Sequence, residues 1–260
     1  DLHYPLRRQR QMCIRDSTID FQKKYFEADP TSSQNESFTI NDLNMYGYSW
    51  WGPVTIKGSK PKDGIDHSVV FNNVTYTGAQ LMYGIYTKAF IKGNTKIQSV
   101  GSYVSPLDGS TQTTQGLGNQ QNFQISYLEV LPGATYTGTT TGGTNVEVYD
   151  GGSFIVDKGA TVNLQRTDAS KSNERGTNAL IDTQGGNVEF KDGSTVILNK
   201  NALVKDGFAP IYIEDGGNLT VDKNATVSIT GATGNIPVRI DGTGTVNLNE
   251  GSHFVEVDSS

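Results

Sequence analysis

Beyond residue 17 the chain has no cysteine, and its only arginines there are Arg166, Arg175 and Arg239. Without cysteine no disulfide can form, so packing and hydrogen bonds alone must hold the fold. No apolar run approaches the roughly 18 residues that cross a membrane as a helix. Charged residues make up only 18% of the chain and carry a formal net charge of −6. An acidic, sparsely charged chain is a poor partner for nucleic acid or anionic lipid. No P-loop, dinucleotide fingerprint or nucleophile elbow is visible. His67 and His253 stand too far apart to pair as metal ligands by spacing, so no cofactor and no metal is expected.

Glycine (30), threonine (28) and asparagine (20) are abundant instead. That composition favours short strands and tight turns over helices.

Residues 1–17, DLHYPLRRQRQMCIRDS, resemble the translation of a transposon-type sequencing adapter, matching it in one frame throughout. They hold four of the seven arginines and the single Cys13, and they are set aside as non-native. The remainder carries (21 − 4) − (27 − 2) = −8. At that charge copies repel near neutral pH, and the repulsion falls as carboxylates protonate toward about pH 4. The chain reads as a fragment of a longer protein.

A repeat occupies residues 131–260. Each copy has a strand, a Gly-containing corner, a second strand, a second corner and a third strand. Gly152 to Gly159, Gly186 to Gly193, Gly217 to Asn224 and Gly244 to Gly251 are each seven residues apart. Successive second corners, counted from Gly133, are 26, 34, 31 and 27 residues apart. Fixed strand spacing with a variable period predicts coils in register, with insertions gathered in one loop. Period-2 alternation places Phe154/Val156, Val188/Phe190, Leu219/Val221 and Val246/Leu248 on one inward face. One coil cannot bury that face alone, so the coils must stack as a parallel β-helix. Residues 38–130 repeat the chemistry less regularly, as in Phe38-Thr-Ile40, Val69-Val-Phe71 and Val74-Thr-Tyr76. The expected organisation is a linker or N-terminal cap over 18–37, then one solenoid domain over 38–260. Residues 105–122 read as a polar loop.

From Phe38 onward the chain resembles the pectate-lyase-like adhesive domain of Gram-positive, Lactobacillus-type surface proteins. The residues that carry this are Val74-Thr-Tyr-Thr-Gly-Ala-Gln80, Ser105-Pro-Leu-Asp-Gly109, Asn119-Gln-Gln-Asn122 and the Gly-Gly and Gly-Ala-Thr corners. The resemblance implies an all-β, right-handed parallel β-helix. It also implies an extracellular, wall-associated adhesion or aggregation module that is not an enzyme. Its partners would be a glycan, a host surface or a second copy of itself.

Tyr46, Tyr48, Trp50 and Trp51 form the most unusual cluster, holding both tryptophans. Aromatic faces stack on sugar rings, which makes these four the candidate ligand-binding residues. The same side chains also suit closure of the N-terminal end of the stack. The alternative function is a polysaccharide lyase acting on uronates. That chemistry needs calcium-holding carboxylates and a cationic base, and only Arg166 and Arg175, near Asp168, Lys171 and Glu174, come close. Asp150, Asp182, Asp215 and Asp241 recur at or near the first corner, where Asp before Gly is a common turn former. Alternating charges at the second corner, Asp157/Lys158 then Lys191/Asp192, are expected to pair between rungs.

Overall fold

Three parallel ladders of strands run the length of the computed structural model, which describes residues 10–49, 51–57, 60–113, 121–167, 179–200, 209–231 and 236–257. The first ladder stacks 26–28, 54–56, 82–84, 123–125, 146–148, 181–184, 211–214 and 238–240. The second stacks 10–13, 36–41, 67–72, 88–92, 127–130, 153–156, 187–190, 217–221 and 244–248. The third stacks 17–20, 44–47, 75–78, 94–99, 135–140, 161–166, 195–200, 226–231 and 253–257. The chain visits the ladders in fixed order and returns to the first one rung further on. This is an all-β parallel β-solenoid.

The corner between the second and third ladders explains the seven-residue spacing. Ala134, Ala160, Ser194, Ala225 and Ser252 each donate an amide N–H to the carbonyl three residues earlier, at 2.9–3.1 Å. Closing that turn onto the next strand needs one left-handed residue. Gly133, Gly159, Gly193 and Gly251 supply it at φ 65–80°, and Asn224 takes the same conformation at 58°. The other corner has a different demand. A Cβ on Gly152, Gly186, Gly217 or Gly244 would overlap the carbonyl oxygen of the rung before it, so backbone rests on backbone there.

Inside, residues of one kind line up rung on rung. Phe38, Val69, Ala89, Leu128, Phe154, Val188 and Leu219 form one buried column, paired in register. Burying each such large side chain stabilises the fold by roughly 1.5–3 kcal/mol. The expected column ends differently at its last rung. Val246 is 49% and Leu248 55% exposed, because no described rung stacks upon them.

The early coils depart from the repeat. Residues 18–37, expected as a linker or cap, include the end of the strand Arg10–Asp20 and the strand Phe26–Ala28, both added to the ladders. The strand Arg10–Asp20 also contains part of the adapter-like stretch. An open ladder edge accepts any extended segment able to make main-chain bonds. Within 105–122, Thr111–Thr113 pairs antiparallel with Ser102–Val104 to make a hairpin outside the solenoid.

Among the described residues, connections at Tyr103 and Lys60 reach across several rungs. Tyr103, on the hairpin, donates its hydroxyl to Asp20 Oδ1 at 2.7 Å, on the first rung. Lys60, between the first and second ladders, reaches Asp150 three rungs further on at 2.6 Å.

Candidate functional site

The corner joining the third ladder to the next first-ladder strand carries the aromatic residues. Tyr46 faces outward on the third ladder, half-buried, with its ring 5.6 Å from Tyr103. Burial, with the hydrogen bond to the Asp20 carboxylate, pushes the Tyr103 phenol far above its ordinary range. Tyr48 lies next along the chain, with Lys23 Nζ 5.9 Å from its ring centroid. Trp51 is 40% exposed. Its indole meets Tyr83 edge-on at 4.8 Å and 66°, and its carbonyl accepts the Thr55 hydroxyl at 3.0 Å. Gly52, at φ 78°, turns the chain directly after it, against the Leu81 carbonyl.

The four expected residues therefore divide. Tyr46 joins Tyr103 and Asp20, whereas Trp51 joins Tyr83. Trp50 lies outside the described residues. Tyr83 and Tyr103 were missing from the expected set. The available signal for Tyr83 was its place in Met82-Tyr83-Gly84, matching the alternating Ile211-Tyr212-Ile213 and Val238-Arg239-Ile240.

From Tyr83 the outer side of the first ladder continues through Gln124, Glu147, Asp182, Tyr212 and Arg239, each in register with the next. Glu147 is fully buried and accepts from Gln121 Nε2 and Gln124 Nε2, each at 2.9 Å. Asn122 is the hub of a second buried group. Its Oδ1 accepts from Tyr136 at 2.8 Å and Asn145 at 3.1 Å, and its Nδ2 donates to Ser99 Oγ at 2.8 Å. These bonds fix the corner where residues 100–122 leave and rejoin the stack, since buried polar groups must find partners there. At the far end Arg239 lies 4.9 Å over the Tyr212 ring and pairs with Asp241 at 3.1 Å. Hydrogen bonds from Tyr212 and Arg239 hold the Asp241 carboxyl below the usual carboxylate range.

Of the residues that lyase chemistry would call on, only Arg166 is described, and Asp168, Lys171 and Glu174 lie outside the described residues. Arg166 points inward on the third ladder, fully buried, and Arg175 is outside the described residues. Asp150 and Asp215 are left-handed corner residues at φ 59° and 57°, as turn formers require. Asp182 belongs to the buried first-ladder row instead of that corner. Among the described residues no group of three or more His, Cys, Asp or Glu could hold a metal ion.

A parallel solenoid with an aromatic and polar lateral face is the class these features define. No family model and no curated protein matches the chain. Two solved structures do. The SRRP of L. reuteri 53608 matches with a TM-score of 0.66 at 16% identity, covering 94% of this chain and 86% of that one. The SRRP of strain 100-23 matches at 0.65 and 17%, covering 93% and 84%. Both come from a lactobacillus, in line with the resemblance in the sequence, and at these identities they establish the fold.

Proposed function

We propose that the chain is a non-catalytic adhesion module of a bacterial cell surface, and that it binds glycan on the lateral face around Trp51. The observation that carries this reading is the exposed Trp51 indole held edge-on against Tyr83. An apolar ring in fixed orientation suits the face of a sugar, and the adjacent Tyr83 carries a hydroxyl able to hydrogen-bond to it. Tyr46 and Tyr48, which precede it on the same corner, would be a separate part of the contact, with Trp50 next to it in sequence. The fold shared with the two lactobacillar SRRP structures supports an extracellular, wall-associated setting.

The uronate lyase reading is disfavoured by the inward position of Arg166, which leaves it no access to a polymer. Calorimetric titration with a panel of neutral and uronate oligosaccharides tests both. Binding that weakens about tenfold in Trp51→Ala is expected. Equal affinity of the two proteins would overturn the assignment of the face. Release of unsaturated uronate in the presence of calcium would restore the enzyme.

A further inference from the structure

The second corner forms a ridge along the later half of the solenoid, and its charges follow a simple order. Asp157, Lys191, Asp222 and Asn249 occupy equivalent positions on four successive rungs. Directly after them, at the crest, come Lys158, Asp192, Lys223 and Glu250. Within the chain these charges already attract across rungs. Lys191 lies 3.5 Å from Asp157, and Lys158 lies 4.0 Å from Asp192. Asn224 and Asn249 donate to Asp192 and Asp222, each at 2.9 Å. The crest stays in water, with the Lys158 side chain 76% exposed, and a shallow cleft runs along it between Asp192 and Glu250.

We propose that this ridge is a contact surface for a second copy of the chain, docked antiparallel about a two-fold axis crossing the ridge between its second and third rungs. Such an axis keeps each row facing itself but reverses the rung order. Read forward the crest is plus, minus, plus, minus; read backward it is minus, plus, minus, plus. Lys158 therefore meets Glu250 of the other copy, and Asp192 meets Lys223, so the crest makes four cross-pairs. In the row behind, Lys191 meets Asp222, and Asp157 meets the neutral Asn249. Rungs about 4.8 Å apart in both copies keep the pairs aligned along the ridge. A parallel copy about an axis along the crest would instead set each crest charge against itself. Thr135, Thr161, Thr195 and Thr226 border the ridge in register on the third ladder, and such short side chains let a second ridge approach.

The contact rests on the adhesive reading only for its purpose; its geometry is independent of the glycan face. Sedimentation of the whole chain tests it. At about 0.1 M salt the Debye length is about 10 Å, which screens the repulsion of two acidic molecules yet spares charges in contact. A dimer is expected there and should dissociate near 1 M salt, where the length is about 3 Å. Lys158→Glu and Glu250→Lys, each alone, should weaken it about tenfold. The double variant carrying both changes, or a mixture of the two single variants, should regain it. A monomer at every salt concentration overturns the proposal. So does a dimer that strengthens with salt, which would place the contact on the apolar last rung around Val246 and Leu248. Failure of the double variant to recover overturns the antiparallel arrangement. Glycan titration on the same samples separates this outcome from failure of the Trp51 site.

Discussion

The two halves of the solenoid solve the same stacking problem by different means. After residue 131 every rung repeats the same corner, and insertions follow the third ladder. Before it the connections vary, and two of them bridge rungs that do not touch: Tyr103 to Asp20, and Lys60 to Asp150. The later half is held by repetition, each rung making the same contacts with its neighbours. The earlier half is held in addition by single long-range ties. Regularity makes a rung intolerant at its shared positions, whereas a tie concentrates its effect in one pair of side chains.

The largest effect should come from the shared backbone contact. Gly186→Ala forces a Cβ into the Gly152 carbonyl and should cost about 3 kcal/mol, read as a fall in the denaturant midpoint. Gly159→Ala, where the space is open and only the left-handed backbone resists, should cost about 1 kcal/mol. Gly159→Asn should cost less still, as Asn224 already occupies the equivalent corner. If the two alanine variants were equally unstable, backbone stacking would not be what sets the later half apart.

Cutting a tie comes next. Tyr103→Phe removes the hydroxyl bonded to Asp20 and should cost about 1–2 kcal/mol, with amide exchange speeding up in the hairpin but not in the strands Thr195–Lys200 and Thr226–Gly231. Unchanged exchange in the hairpin would mean that the tie does not hold it.

The smallest effect concerns Asp241. Its carboxyl is held low, so the pairing with Arg239 and Tyr212 persists through the ordinary carboxylate range and fades only as pH falls through the lowered value. An NMR titration should place its midpoint below about 3.9, the value of a free aspartate. A midpoint at or above that value would show that the contact does not stabilise the charged form.

Much of the later half was legible in the sequence because its contacts are periodic: Gly152 to Gly159 is the same distance as Gly186 to Gly193. The aromatic cluster stood out for holding both tryptophans, and Trp51 does lie exposed on the lateral face. Its partner Tyr83 is 32 residues away and Tyr103 lies 83 residues from Asp20. The first is about one rung of the irregular early coils, too variable to single out beforehand, and the second follows no repeat at all. The buried Asn122 group was hidden for another reason. Polar residues normally mark a surface, and only the fold shows that Gln121 and Asn122 turn inward to one another's neighbours.

The rung-to-rung hydrogen bonds lie along the solenoid axis, and this gives the ties a mechanical meaning. A pull that separates the two ends loads those bonds one rung at a time, as a zipper opens, instead of sharing the load among many. In the later half, beyond Asp150, the contacts described above run between neighbouring rungs. In the earlier half, peeling a rung must also break the Tyr103–Asp20 hydrogen bond, and the exposed Lys60–Asp150 pair adds a smaller tie. Under the drag of flowing liquid, the regular half is therefore expected to yield first, leaving the irregular half folded around the aromatic face.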